Sequence, residues 1–252
     1  MKIDLHDKVV LVTGGSSGIG EAISNCLAES GATVALHYNN SKDNAEKFVK
    51  QFGSKSECFQ ANLRNPQNAV SLFNKVLKHF SKFDVLVNNA GIFVRSPIQL
   101  DNKKWLDDWN TTVAINLTSA GVLSQCAIKY FMENSGGIII HIASRAAFRG
   151  ETEDYLAYAA SKGGLVSLSR SIARSFGKYN IKSFVIAPGF VRTRMTEKFL
   201  NTFEQDIIEN ELSLNELTTP EDIAKVVTFI ASGMMDHATG STIDINAGSY
   251  MR

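Results

Sequence analysis

The chain has 252 residues, 44% hydrophobic and 20% charged, enough for one sizeable core. A formal net charge of +1 gives no electrostatic basis for nucleic acid or an anionic membrane as the main partner. Cys26, Cys58 and Cys126 are odd in number and scattered, so they read as reduced thiols of a cytoplasmic protein rather than a disulfide framework.

The charged residues 1–8 run directly into an apolar strand pattern, unlike a signal peptide, and no apolar run is expected to reach the ~20 residues of a membrane span. Residues 8–13 are short, apolar and β-branched, the pattern of a strand buried on both faces. The run stops at Gly14-Gly15-Ser16-Ser17-Gly18-Ile19-Gly20. A helical pattern follows, with Ile19, Ile23, Cys26 and Leu27 on one face and Gly31 beyond its end. Strand, glycine turn and helix are the setting a phosphate needs: N–H groups at the helix start face the anion, and glycines admit the pyrophosphate. The spacing is Thr13-Gly14-x-x-x-Gly18-x-Gly20 rather than Gly-x-Gly-x-x-Gly, and a tight connection without a ligand is the plain alternative.

Residues 33–38 form the second strand, whose tip carries cofactor choice. An acid there hydrogen-bonds the ribose of NAD and repels a 2′-phosphate. This chain has Tyr38-Asn39-Asn40-Ser41-Lys42, with no carboxylate at the tip, which favours NADP(H). No arginine stands in the loop, so NAD(H) remains open. Ser41 also suits the N-cap of the next helix.

The alternation continues with strands over residues 55–61, 84–87, 137–143, 181–187 and 240–245. Helices are expected over 65–80, from Asp101 through Asn116 to Phe131, from Tyr155 or Tyr158 to Phe176, and from Thr219 with Pro220 in its first turn. Repeated βα units predict a doubly wound α/β fold of about seven parallel strands with helices on both faces, in one domain spanning 1–252. Right-handed crossovers place Gly14, Asn88, Ser144 and Pro188 together, since each follows a strand end.

Tyr158 and Lys162 lie four apart on one helix, so a single turn stacks them. A phenol has a pKa of about 10, and a neighbouring ammonium stabilises its phenolate, so the pair is a proton-transfer device. The bland alternative is a tyrosine and a lysine at chance spacing on a surface helix. Tyr155 is a decoy, because Ala159 stands four residues on. Ser144 is not in a Gly-x-Ser-x-Gly elbow, which argues against an esterase. His6, His37, His79, His141 and His237 show no ligand spacing, so no metal site is expected.

In this order the motifs Thr13-Gly14-x-x-x-Gly18-x-Gly20, Asn88-Asn89-Ala90-Gly91, Asn116, Ser144, Tyr158-x-x-x-Lys162 and Pro188-Gly189 followed by Thr193 resemble the short-chain dehydrogenase/reductase family over essentially the whole chain. The nearest-looking subgroup is the 3-oxoacyl-acyl-carrier-protein reductase type. The resemblance implies that Tyr158 is the general acid/base and that Ser144 orients the substrate carbonyl. It gives Lys162 the nicotinamide ribose and the tuning of the phenol, and Asn116 a water in the proton relay. The implied cofactor contacts are Gly14, Ser16, Ser17, Gly18, Ile19, Gly20, Tyr38, Asn39, Ser41, Asn62, Leu63, Asn89, Ala90 and Gly91. Beyond these come Tyr158, Lys162, Pro188, Gly189, Val191 and Thr193.

The implied activity is NADPH-dependent hydride transfer between nicotinamide and a carbonyl or secondary alcohol, in a homotetramer. The substrate is a 3-oxoacyl thioester, or alternatively a sugar or small ketone; a non-catalytic NADP(H) sensor is the reading from another class. Several positions depart from the family pattern. Asn62 replaces an aspartate, and Ala247 stands where a second glycine is usual. Ser144 and Tyr158 are one residue further apart, so residues 145–151 are expected to bulge over the site. Ser135 and Tyr179 occupy positions where carrier-protein-binding arginines are usual. Arg145 and Arg149 are candidates to receive an acidic or phosphorylated substrate, or else are solvated loop charge. Residues 194–217 are expected to form a substrate lid.

Overall fold

The computed structural model describes residues 3–52, 56–193, 196, 197, 206 and 210–252. Seven parallel strands form one sheet in the order β3-β2-β1-β4-β5-β6-β7. They are β1 (Val9–Val12), β2 (Thr33–Tyr38), β3 (Glu57–Gln60), β4 (Val85–Asn88), β5 (Gly137–Ile142), β6 (Ile181–Pro188) and β7 (Thr242–Ile245). The helices between them are α1 (Gly18–Glu29), α2 (Lys42–Phe52), α3 (Pro66–Phe80), α4 (Asn102–Val113), α5 (Ser119–Glu133), a short α6 (Ala146–Arg149), α7 (Leu156–Phe176) and α8 (Pro220–Ala231).

The central strands are apolar on both faces because helices cover both. Val10 and Val12 of β1 pack toward α1 and α8, with Ile23, Leu27, Ile223 and Val227. Leu11, between them, points the other way and packs with Leu72, Val76, Leu123, Phe131 and Ile172 of α3, α5 and α7. This alternation sorts the period-2 side chains of each strand between two cores. Each fully buried Leu, Ile or Phe contributes on the order of 1.5–3 kcal/mol.

Caps fix two of the crossovers. Asn65 accepts the Gln67 N–H at 3.0 Å ahead of Pro66, and Thr219 and Asp222 form a reciprocal capping box around Pro220.

Contrary to the sequence expectation, one helical stretch, Asn102–Glu133, is long and apolar enough by length and composition to cross a bilayer. Its apolar side is laid against the sheet, with Leu123, Ala127 and Phe131 fully buried. Between α4 and α5 the chain widens into one π turn, Ala114–Thr118, which holds Asn116. Residues 145–151 form no open bulge. Arg145 leads into the short α6, which ends at Gly150 with φ 81°, a left-handed conformation that glycine takes readily. Of the expected lid, Thr196, Glu197, Asp206 and residues 210–217 are described, and the rest of 194–217 lies outside the described residues.

Candidate active site

The sheet order reverses between β1 and β4, and the carboxyl ends of the strands flank a crevice there, the usual ligand position in open α/β sheets. A cleft runs along this edge. Gly14, Ser17, Gly18, Ile19 and Gly20 line one part of it, with Asn89, Ala90 and Gly91. Ser144, Tyr158, Lys162, Pro188, Gly189, Val191 and Thr193 line the rest. Ile142, Ala143 and Thr196 complete the wall and were not singled out in the sequence.

The glycine turn is built to let an extended anion approach closely. Gly14 has φ +65° and packs against Ala90, and a Cβ on Gly20 would stand 2.1 Å from the Gly14 carbonyl oxygen. Thr13 ties this turn to the end of β4. Its hydroxyl donates to Val87 O at 3.2 Å and accepts the N–H groups of Asn89 and Ala90 at 2.9 and 3.0 Å. Asn89 returns its amide to Thr13 O at 2.8 Å. Ser17 precedes α1 without a side-chain capping bond, so its hydroxyl is available beside the first-turn N–H groups. A pyrophosphate fits this cradle.

His37 braces the turn from below. Its Nδ1 accepts the Gly14 N–H at 3.0 Å, its backbone oxygen accepts the Gly15 N–H at 2.8 Å, and its Nε2 donates to Ala61 O at 3.0 Å. Burial pushes the imidazole down to about 4, so it is neutral at physiological pH with the proton on Nε2. The sequence reading passed over His37. The available signal was one polar residue near the end of an otherwise apolar strand.

The remaining implied cofactor residues are not walls of the cleft. Ser16 is buried, and its backbone oxygen accepts from Asn44 Nδ2 at 3.1 Å. Tyr38 is buried at the tip of β2, Asn39 is exposed beside it, and Ser41 immediately precedes α2. Asn62 is exposed after β3, its Oδ1 accepting the Arg64 N–H at 3.0 Å, while Leu63 is in the core. These positions share the carboxyl edge with the cleft, toward its β2–β3 end.

At the other end Tyr158 stands partly exposed, with Phe93 edge-on at 4.7 Å between ring centroids. Phe93 in turn stacks on Tyr155 at 3.9 Å, so the decoy tyrosine supports the wall. The Ser144 hydroxyl accepts the Ala146 N–H at 3.1 Å and lines the cleft together with Tyr158. Desolvation, only partly offset by the neighbouring Ser144, pushes the phenol up to about 12.

Lys162 is buried, its Nζ donating to Ile142 O at 2.8 Å and lying 5.7 Å from the Tyr158 ring centroid. Desolvation brings its ammonium down to about 8. The lysine is therefore anchored to β5 rather than to the phenol. Asn116 sits behind Gly91: its Oδ1 accepts Ile92 N–H at 2.8 Å, and its Nδ2 donates to Ile92 O at 3.0 Å and Ser161 Oγ at 3.2 Å. A Cβ on Gly91 would lie 3.4 Å from both Asn116 Oδ1 and Lys162 Nζ, so the two groups border one small space. His141, fully buried beneath, accepts from Asn88 Nδ2 at 3.3 Å and ligates nothing. No group of metal-ligating side chains occurs among the described residues.

A Rossmann sheet with a dinucleotide cradle at one end of its switch-point cleft and a Ser–Tyr–Lys cluster at the other defines a nicotinamide-dependent oxidoreductase site. A family model described as enoyl-(acyl carrier protein) reductase matches residues 14–250, and the chain belongs to the short-chain dehydrogenase/reductase family. It is similar to the 3-oxoacyl-acyl-carrier-protein reductase FabG of Aquifex aeolicus, at 31% identity over 99% of this chain and 100% of the relative. The enzyme of the same name from Vibrio cholerae is 33% identical over 99% and 100%. Among solved structures, a putative gluconate dehydrogenase from Agrobacterium tumefaciens superposes with a TM-score of 0.90 at 26% identity, covering 99% of this chain and 98% of that one. A mutant short-chain dehydrogenase/reductase of Serratia marcescens gives 0.88 at 32% identity, covering 99% of both chains. The chain is an NAD(P)-dependent oxidoreductase acting on CH–OH or C=O groups.

Proposed function

We propose that the chain reduces a carbonyl to a secondary alcohol with NADPH as preferred donor, Tyr158 giving the proton. The observation that carries this is the convergence of Ser144, Tyr158 and Lys162 on the wall of one cleft. When bound, the nicotinamide supplies the hydride to the carbonyl carbon. As charge grows on the oxygen, the Ser144 hydroxyl hydrogen-bonds it and Tyr158 transfers its proton there. A phenol held at about 12 keeps that proton through the neutral range, which suits a donor. Lys162 uses one of its three N–H bonds on Ile142 and retains the others for the ribose and the phenol. Asn116, clamped to Ile92, holds the π turn and a water that returns a proton toward Tyr158.

NADPH is favoured over NADH because no carboxylate stands at the tip of β2. Lys42 adds less than its charge suggests, since it pairs with Glu46 at 3.3 Å. The similarity to 3-oxoacyl-acyl-carrier-protein reductases points to a 3-oxoacyl thioester. A second reading, a small oxo compound or sugar, is favoured by Ser135 and Tyr179, which replace the arginines expected to meet an acidic carrier protein. We place the enzyme in the cytoplasm on its three free thiols. Exposed Leu106 and Leu156 on α4 and α7, and Met132 on α5, suit subunit contacts in a symmetric tetramer.

The test is a panel of 3-oxoacyl thioesters, keto sugars, simple ketones and quinones with NADPH and NADH. NADPH-dependent reduction with kcat/KM at least tenfold above NADH is expected. Preference for NADH by tenfold, about 1.4 kcal/mol, overturns the cofactor choice. Tight NADPH binding with no carbonyl turned over leaves a sensor instead.

A further inference from the structure

Arg145 directly follows Ser144 and is only 3% exposed, an unusual place for a guanidinium. Its backbone N–H donates to Pro188 O at 2.9 Å, which fixes it beside the turn that ends β6. Its side chain lies over the Phe190 ring at 4.1 Å. One Nη2–H reaches Glu211 Oε2 at 2.8 Å, and Arg149 Nη1 reaches the same oxygen at 3.2 Å. Glu211 comes from the far end of the 194–217 stretch, whose base is pinned by a Val191–Thr218 bridge and by Leu212 and Leu217 against Phe190. Two cations thus share one oxygen of one carboxylate. Glu151 acts on Arg145 only through space, and Arg145 Nη1 is buried with no partner.

An arginine fork is matched by a carboxylate presenting two oxygens side by side, and an N–H left unpaired in a buried site keeps its desolvation cost. Glu211 satisfies half of that fork, because its backbone is held by the lid base. A carboxylate on a small molecule has no such tether. We propose that Arg145 and Arg149 form an anion subsite for a carboxylate carried by the carbonyl substrate, which takes the place of Glu211, so that the preferred substrates are small oxo acids. This rests on the carbonyl-reductase reading above and narrows its substrate class. A single N–H···O contact from Arg145 to Glu211, with the second Glu211 oxygen unused by either arginine, is what an exchangeable internal stand-in looks like.

The test uses the full-length enzyme and avoids Arg145, whose loss endangers the fold. Arg149→Gln, Glu211→Gln and the double variant are first matched for melting temperature. The ratio of kcat/KM for 2-, 3- or 4-oxo acids to that for their methyl esters is then measured with NADPH. The best oxo acid is expected to exceed its ester at least tenfold in the wild type. That ratio falls at least tenfold in Arg149→Gln, through KM, and rises in Glu211→Gln. An equal change for acid and ester in both variants overturns the subsite. Calorimetry with malonate and with inorganic phosphate gives a readout independent of turnover. Malonate binding is expected to tighten about tenfold in Glu211→Gln and to lose that gain in the double variant. Malonate affinity that is the same in all four proteins sinks the subsite, even if neutral ketones turn over. Phosphate gaining where malonate does not replaces the oxo acid by an oxo phosphate and overturns the carboxylate assignment. Failure of every carbonyl to react, with malonate behaving as expected, removes the reductase reading and leaves the anion subsite standing.

Discussion

The backbone N–H of Gly14 donates to Nδ1 of His37 at 3.0 Å, and the opposite nitrogen of that ring donates to Ala61 O. One neutral imidazole therefore sets the distance between the glycine turn after β1 and the loop after β3. His37→Leu leaves a buried N–H and a buried carbonyl unpaired, at about 1–3 kcal/mol each. It should raise the NADPH Kd at least tenfold, measured by fluorescence titration, while kcat at saturating cofactor falls far less. His37→Asn offers an oxygen near the old Nδ1 position and should recover part of the affinity. A leucine variant that melts lower but binds NADPH within twofold of wild type would reduce His37 to a core residue.

How much of this was legible follows from the range of each interaction. The strands were readable because both faces of the sheet are covered, so β1, β4, β5 and β6 are predominantly apolar, broken only by His141 in β5 and by Lys182 and Ser183 in β6, and lead to Gly14, Asn88, Ser144 and Pro188. Helix starts at Pro66 and Pro220 were readable because capping is local. The bridge made by His37 was not, since its partners lie 23 and 24 residues away in sequence on other turns. Nor was the anchoring of Lys162 on Ile142: four-residue spacing puts Tyr158 and Lys162 on one helix face but says nothing of β5 passing beneath it. The π turn at Asn116 depends on how α4 and α5 meet the sheet, and the Arg145–Glu211 pair closes across 66 residues.

Ala247 occupies φ +53°, a left-handed conformation that costs an L-residue about 1–2 kcal/mol. Its carbonyl accepts the N–H groups of Ser213 and Leu214 at 2.8 and 3.2 Å, so the strained backbone is held in place by the segment that precedes α8. Ala247→Gly removes the Cβ strain and returns part of the gain to the unfolded chain as entropy. A net stabilisation of about 0.5–1 kcal/mol is expected from urea unfolding, with unchanged activity. A destabilised glycine variant contradicts it.

Lys162 gives a pH test with a definite sign. Its folded-state value is depressed from 10.5 to about 8, so between those values the unfolded chain holds a proton that the folded chain has released. Stability contributed by this group therefore rises with pH across about 8 to 10.5, and the charged form is the costly one below 8. Tyr158 works oppositely: raised from 10 to about 12, it loses stability between those values. Comparing wild type with Lys162→Met isolates the lysine. The wild type should gain on the variant by up to about 3 kcal/mol between pH 8 and 10.5, at ~1.4 kcal/mol per unit. A difference that stays flat across that range would place the ammonium in water.

The assignment of Tyr158 as proton donor is tested by taking away one atom. Tyr158→Phe keeps the ring that meets Phe93 edge-on, so the wall of the cleft and the glycine cradle should persist. NADPH affinity is expected to stay within about threefold. What goes is the hydroxyl beside Ser144, and with it the only phenol among the described residues that line the cleft. Turnover should drop by roughly 10²–10⁴, the ordinary contribution of general acid–base catalysis. Tyr155→Phe is the control. Its ring stacks on Phe93 at 3.9 Å, it lacks a lysine one turn on, and its hydroxyl is not in the cleft, so turnover should remain near wild type. Lys162→Met should lower kcat and cofactor affinity together, because the proposal gives the one ammonium to both the phenol and the ribose. If Tyr158→Phe kept near-normal turnover on the best substrate of the panel, another group or a bound water would be delivering the proton. The convergence of Ser144 and Tyr158 on the cleft wall would then be structural only.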